Sequence, residues 1–151
     1  MFAALDVATG KVIGECQPRH RAKEFIAFLK RIDRVVAKHL ELHLVLDNYK
    51  THKTAEVQEW LAKHPRFKLH FTPTSCSWLN LVERLFAEIT RQRIRRGTFS
   101  SVAELEAAIR DWIDARNTQP KPFRWTAKST AIIAKHRRAK KALAMIVEGC
   151  S

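Results

Sequence analysis

The chain has 151 residues, of which 46% are hydrophobic, and it carries a formal net charge of +13 because Lys and Arg far outnumber Asp and Glu. Its length and apolar content are typical of one globular domain and exclude a disordered chain, and no apolar run reaches the roughly 20 residues of a membrane-spanning helix. A charge this positive favours a polyanionic partner, above all nucleic acid.

The first part of the chain predicts a β-hairpin followed by an amphipathic helix. Two β-like runs at residues 2–7 and 11–17 flank a turn in which Gly10 can take a positive φ angle. Apolar residues then recur at helical spacing, which predicts a helix with one buried face. That face comprises Phe25, Phe28, Leu29, Ile32, Val35, Val36 and Leu40.

A strand–helix–strand unit follows. The apolar run LHLVL at residues 42–46 predicts a buried strand, and residues 67–72 predict another. Between them a short helix, at about residues 54–64, has Val57, Trp60 and Leu61 on its inner side. Because a helix connects the two strands, we expect them to run parallel.

The second half predicts helices. After a polar turn at residues 73–80, a long helix begins near Leu79 and stops at Gly97. A capping box formed by Ser101 and Glu104 starts the next helix. The inner stripe of that helix comprises Val102, Leu105, Ile109, Trp112 and Ile113.

Together these elements predict an α/β domain with a small mixed sheet flanked by helices. We expect this domain to span residues 1–125, with a Pro-containing connection at 117–125. Residues 126–151 then form a basic C-terminal helix that packs on the domain or extends from it.

Two acidic residues are candidates for a catalytic site. Asp47 directly follows the strand at residues 42–46, and Glu83 lies in the first turn of the helix that follows the next strand. Because reactive groups gather beyond the carboxyl ends of parallel strands, one crossover can bring both carboxylates to the same edge of the sheet. Paired carboxylates suit Mg²⁺ or Mn²⁺, and such ions support phosphodiester cleavage. The structural alternative makes Asp47 a turn or N-cap residue and Glu83 a complement to the helix dipole.

The histidines and cysteines indicate no metal site by themselves. His52 taken alone is typical of a surface histidine. Three other histidines show no metal-ligand spacing: His43, His70 and His136. The three cysteines, Cys16, Cys76 and Cys150, are scattered and odd in number, which is typical of a protein from a reducing cytoplasm.

Three segments together resemble a known family. LVLDNYKTH at residues 44–52 and FTPTSCSWLNLVERLFAEITRQ at residues 71–92 combine a strand ending in Asp-Asn, a His shortly afterwards, and a proline-led Asn-x-x-Glu helix. The segment PFRWT begins at Pro122. This combination is similar to the DDE-superfamily transposases of the mariner-like type and their bacterial insertion-sequence relatives.

The resemblance implies an RNase H-like fold and divalent-metal-dependent cleavage and transfer of DNA strands at transposon ends. Asp47 and Glu83 match the second and third acidic ligands of the family's metal site. Asn48, His52 and Asn80 match motif positions around that site, for which we expect supporting roles.

The family's first acid has no obvious counterpart in this sequence. In the family this acid lies on a central strand, whereas the strand nearest Met1 resembles the family's second strand. We therefore expect the central strand, its acid and an upstream helix-turn-helix to lie outside this sequence, which is then the C-terminal part of a longer transposase. The alternative places Asp6 in the role of the first acid. A missing central strand would leave open edges, to be closed by the hairpin or by another chain, so we also expect a homodimer or a higher assembly.

The expected partner is DNA, bound through a basic surface near the site. Its predicted members are Lys50, Lys53, Arg91, Arg93, Arg95 and Arg96, extended in the tail by Arg137, Arg138, Lys140 and Lys141. Two other functions stay open: a non-catalytic DNA-binding remnant, and an unrelated basic RNA- or ribosome-binding protein. Without the first acid, we expect the chain alone to be nearly inert as a nuclease.

Overall fold

The computed structural model of the chain describes residues 1–72 and 81–122 and the tail positions 130–131, 133–134 and 137–138. These residues confirm the predicted mixed α/β class. In chain order the elements are β1 (Phe2–Leu5), β2 (Val12–Glu15), α1 (Ala22–Val35), β3 (Leu42–Leu46), α2 (Ala55–Ala62), β4 (Phe67–Phe71), α3 (Leu81–Ile89) and α4 (Val102–Thr118). The predicted polar turn at residues 73–80 and the PFRWT segment beyond Pro122 lie outside the described residues.

The N-terminal hairpin forms as its turn chemistry predicts. β1 and β2 pair antiparallel, with Phe2 opposite Glu15 and Leu5 opposite Val12. Gly10 takes a φ angle of 78°, and its N–H donates to the carbonyl oxygen of Asp6 over 2.7 Å. This left-handed conformation strains residues that carry a Cβ, so glycine suits the position.

The second pair of strands is parallel, as the helical crossover predicts. β3 and β4 are in register from Leu42 opposite Phe67 to Leu46 opposite Phe71. Within the described residues, however, the two pairs form separate two-stranded sheets instead of the single small sheet that we expected.

Two apolar cores meet at the hairpin. The first joins α1, α2, β3 and β4 and contains Leu29 and Val57, and the second joins β2 to α3 and α4. Successive side chains of a strand point to opposite faces, so β1 contributes to both cores. Phe2 and Ala4 pack against the first core, whereas Ala3 and Leu5 pack against the second. The hairpin therefore connects the two halves of the fold.

The buried faces predicted from helical periodicity for α1 and α4 include residues that are exposed in the structure. Val36 is extended and caps α1, so Leu40 lies beyond the helix, where it is 48% exposed. Val35, in the last turn of α1, is 64% exposed. Val102 is the first residue of α4 and is 74% exposed. Val35 and Val102 thus lie at helix ends that face away from the core, and the apolar spacing reaches past the end of α1 to Leu40.

The ends of α3 and α4 also differ in detail from the prediction. α3 continues into a π-helical turn, Thr90–Ile94, so the helical stretch ends before Gly97. Gly97 is not a left-handed helix stop, since the positive φ angle among the described glycines belongs to Gly10. At the start of α4 the Ser101 hydroxyl accepts from the Glu104 N–H as predicted, but the Glu104 carboxylate accepts from the Ser100 N–H. Among the described residues, no helix is long and apolar enough to span a membrane.

Candidate active site

A groove of about 680 Å³ separates the two sheets. Within the described residues β1 pairs with β2 alone and β3 with β4 alone, and both β1 and β3 line this groove. Apolar side chains of α1 and α3, including Phe28 and Phe86, complete the lining. The groove is thus bounded by two strands and two helices, and the acidic residues along its described lining are Asp47 and Glu83.

Asp47 reaches the groove because β3 ends there. The N–H of Thr72 donates to the carbonyl oxygen of Leu46 over 2.8 Å, which continues the strand pairing to the last residue before Asp47. The Asp47 side chain is 43% exposed, so it is accessible to a ligand. Asn48 follows it directly and is exposed.

The side chain of His52 contacts the loop that carries Asp47. The chain turns through a 3-10 helical turn, Lys50–Lys53, which places Nδ1 of His52 3.3 Å from the carbonyl oxygen of Asp47 and 3.4 Å from its Oδ1. The imidazole lies 4.4 Å from the ring of Phe25 and 5.9 Å from that of Tyr49, measured between centroids. Its side chain is only 12% exposed, so the expectation of a surface histidine was wrong.

Burial has an electrostatic consequence for His52. Desolvation of the imidazolium lowers the pKa of His52, and this effect exceeds the opposing influence of the Asp47 carbonyl and carboxylate. The folded protein therefore favours a neutral imidazole, which acts as a packing and hydrogen-bonding group beside Asp47.

Glu83 approaches the groove from α3. It lies in the first turn of that helix and is exposed. Two carboxylates on one accessible groove supply oxygen ligands of the kind that Mg²⁺ and Mn²⁺ prefer. Among the described residues, no three His, Cys, Asp or Glu side chains gather closely enough to hold a metal ion. The structure thus places both carboxylates along one groove, and a role for them as metal ligands stays a prediction.

The Asp6 carboxylate forms hydrogen bonds within the hairpin turn. Its Oδ1 accepts from the N–H of Ala8 over 2.9 Å, and its Oδ2 accepts from the hydroxyl of Thr9 over 2.5 Å. Its backbone N–H donates to the carbonyl oxygen of Lys11 over 2.9 Å. These bonds account for Asp6 as a residue of the hairpin turn.

The predicted basic residues are exposed where the structure describes them. Lys50 and Lys53 lie in the 3-10 turn beside Asp47, and Nζ of Lys53 is 4.7 Å from the centroid of the Phe71 ring. The arginines after α3 are also exposed: Arg91 and Arg93 in the π-helical turn, and Arg95 and Arg96 after it. Arg137 and Arg138 are exposed and helical, whereas Lys140 and Lys141 lie outside the described residues, as do Asn80 and His136. DNA contact by these side chains remains a prediction.

Two histidines that the sequence interpretation set aside lie in contact. Nδ1 of His43 is 2.8 Å from Nε2 of His70, and the rings are nearly parallel. The parallel register places Val45 opposite His70, so His43 is the next residue on the same face of the sheet. Spacing along the sequence cannot show this contact. It follows once the register of β3 and β4 is known, because side chains alternate between the two faces of a strand and both histidines fall on the same face.

Comparison with known proteins agrees with the motifs. Residues 1–106 match the sequence profile of the family described as DDE superfamily endonuclease. The chain is also 31% identical over 120 residues to the "Insertion element IS630 uncharacterized 39 kDa protein" of Shigella sonnei. This alignment covers 80% of the chain and 35% of the relative, so the chain spans about a third of that protein's length.

Proposed function

Because the chain belongs to the DDE superfamily of endonucleases, we propose that it is the C-terminal part of a transposase catalytic domain that cleaves and joins DNA at transposon ends. The DDE-superfamily membership that the motifs indicated is confirmed by the family match and by the insertion-element relative. The observation that carries the mechanistic proposal is the placement of Asp47 and Glu83 on one groove.

In this proposal Asp47 and Glu83 are catalytic metal ligands. The bound Mg²⁺ or Mn²⁺ would supply Lewis-acid activation of water and of the scissile phosphate. Asp47 presents its carboxylate from the end of β3, and His52 holds the loop that carries it. Glu83 presents its carboxylate from α3, and Asn48 adds a polar group next to Asp47.

We further propose that the groove is the place of an additional strand, which would join the two sheets into an RNase H-like sheet. Its support is the arrangement of the lining, because β1 and β3 each carry an edge unpaired by another described strand and both line the groove. Apolar residues of α1 and α3 line the same space and would cover both faces of an inserted strand. The strand would come from a segment outside this sequence and would carry the first acid of the site.

DNA binding is proposed to depend on phosphate contacts from the exposed lysines beside Asp47 and the exposed arginines after α3. Lys50 and Lys53 follow Asp47 in the next turn of the chain, Arg91 and Arg93 lie in the π-helical turn that continues the Glu83 helix, and Arg95 and Arg96 come after it. Binding of this kind is tolerant of sequence and weakens steeply with salt, because each neutralised phosphate releases counterions. A filter-binding series between low and moderate salt should show that loss of affinity, and a constant affinity would contradict phosphate-driven binding.

The decisive experiment uses a longer protein that restores the upstream segment. We expect it to cleave transposon-end DNA with Mg²⁺ or Mn²⁺, and we expect Asp47→Ala and Glu83→Ala each to abolish cleavage. Asp111→Ala removes an exposed acid of α4 and serves as the matched control, with full activity expected. Full cleavage by either site variant, in a protein that folds normally, would refute the assigned roles.

The turn bonds of Asp6 favour a second function for the chain by itself, that of a DNA-binding remnant without turnover. Both oxygens of this carboxylate accept hydrogen bonds within the hairpin, so Asp6 is not poised to complete the metal site. The 151-residue chain should therefore bind DNA yet leave supercoiled plasmid intact in Mn²⁺. Robust nicking that Asp6→Ala removes would show that Asp6 serves as the first acid.

A further inference from the structure

Tyr49 is an exposed aromatic residue beside the proposed active site. It comes shortly after Asp47 in the same loop, and it is 55% exposed. It also lines the groove, as Asp47 and Glu83 do. Single exposed apolar side chains are common on protein surfaces, so the position of this ring is more informative than its exposure.

The backbone that carries Tyr49 is fixed by hydrogen bonds. Tyr49 precedes the 3-10 turn, and its carbonyl oxygen accepts from the N–H of His52 over 3.1 Å. Oγ1 of Thr51 donates to the carbonyl oxygen of His20 over 3.3 Å, which ties the same turn to the segment before α1. The Tyr49 ring meets the His52 imidazole in an edge contact with an interplanar angle of 69°. The ring is therefore held at the groove before a ligand binds, so binding costs little conformational freedom.

We propose that the Tyr49 ring stacks on an unpaired nucleobase of DNA bound at this groove. The inference rests on the proposed DNA-binding function and adds the residue that holds a base. Aromatic side chains stack on any base because every base has a π-face, and the tyrosine hydroxyl can stay in water while the ring stacks. Within a duplex the neighbouring bases cover both faces of a base, so the contact requires a base that is out of the stack.

The charge around Tyr49 favours a nucleic acid over an apolar protein partner. Lys50 follows it directly, Lys53 ends the same 3-10 turn, and both side chains are exposed. Proteins that bind single strands combine cations that follow the backbone with rings that stack on bases. Phosphate contacts weaken as salt rises, whereas stacking releases no counterions, so the two contributions can be measured separately.

The first test compares the DNA affinity of the 151-residue chain with that of its variants. With an adenine-rich single strand of about 12 nucleotides, Tyr49→Ala should weaken binding by about 5- to 150-fold. Tyr49→Phe should retain the wild-type affinity, because phenylalanine also stacks. With relaxed circular duplex DNA, which has no unpaired ends, both variants should bind like the wild type. Circular dichroism should show that both variants are folded, since the residue is exposed.

Two further variants separate stacking from other effects. Lys50→Gln should lower the slope of log affinity against log salt concentration by about 0.7, whereas Tyr49→Ala should leave that slope unchanged. Val35→Ala removes another exposed apolar side chain, in the last turn of α1, and should leave the affinity unchanged. A Tyr49→Ala affinity equal to that of the wild type, a changed slope in that variant, or an equal loss in Val35→Ala would each overturn the stacking contact.

Nuclear magnetic resonance can observe the contact directly, because Tyr49 is the single tyrosine of the chain. Isotope-labelled tyrosine therefore gives ring signals from this residue alone. Addition of the single strand should move these signals upfield, since the ring current of a stacked base shields nearby protons. Unmoved signals at saturation with DNA would overturn the inference and leave the proposed DNA binding intact, whereas a chain that binds neither DNA would overturn both. Signals that move with protein concentration in the absence of DNA, and not with the single strand, would assign the ring to a contact between chains and overturn the inference.

Discussion

Replacement of His52 by alanine should loosen the loop that carries Asp47 and destabilise the whole domain. The imidazole fills the space between Phe25 of α1 and Tyr49, and Nδ1 reaches the carbonyl oxygen of Asp47. Alanine removes both the ring contacts and the hydrogen bond. The side chain is 12% exposed, so water does not fully replace what is lost.

The size of the effect follows from these contacts. An aromatic pair contributes about 0.5–1.5 kcal/mol beyond burial, and a hydrogen bond contributes about 0.5–1.5 kcal/mol. His52→Ala should therefore lower the free energy of unfolding by about 1–3 kcal/mol. For a chain of this length, each kcal/mol corresponds to about 2–4 °C in melting temperature. His52→Phe retains the ring and loses the hydrogen bond, so it should cost about 1 kcal/mol.

Urea unfolding followed by circular dichroism measures both variants against the wild type at pH 7.5. The same assay across pH tests the lowered pKa of His52. Because burial depresses this pKa, the unfolded state binds more protons as pH falls through the ordinary imidazole value of about 6.5. Wild-type stability should fall from there until the pH reaches the lower folded-state pKa, and His52→Phe should lack that part of the decline.

A loss below about 0.5 kcal/mol in His52→Ala, within the range of ordinary surface substitutions, would refute the packing argument. A pH profile of His52→Phe that coincides with that of the wild type between neutral and mildly acidic pH would refute the electrostatic argument separately.

Three further predictions concern stability. Leu29→Ala removes a side chain with 0% exposure from the first core and should cost about 2–5 kcal/mol in urea unfolding, whereas a cost below 1 kcal/mol would contradict the core assignment. Hydrogen bonding from Arg21 lowers the pKa of Glu24 to about 2, so the free energy of unfolding of the wild type should fall as the pH drops from about 4.5 to about 2. The Glu24→Gln variant should lose less stability over the same pH range. Gly10→Ala should destabilise by more than about 1 kcal/mol in thermal unfolding, because φ is 78° and a Cβ would lie 2.0 Å from the carbonyl oxygen of Lys121; an unchanged melting temperature would show that the turn relaxes.

Local chemistry explains most of what the sequence predicted correctly. The hairpin turn depends on Gly10 and its immediate neighbours, and the N-cap of α4 depends on Ser101 and Glu104. The parallel pairing of β3 and β4 follows from the helix between them. The errors lie at helix ends, with Leu40 beyond the end of α1 and Val102 at the start of α4, because apolar spacing does not specify where the core stops.

The sequence by itself determined that Asp47 ends a strand and that Glu83 begins a helix, since both positions depend on patterns within a few residues. Only the tertiary structure decided that both line one groove, that the two strand pairs form separate sheets within the described part of the chain, and that His52 is buried against Phe25. It alone brought His43 to His70, because strand register joins residues that have no regular spacing along the chain. Local patterns select elements, whereas contacts between distant elements depend on how those elements pack, and packing decides which side chains share a site.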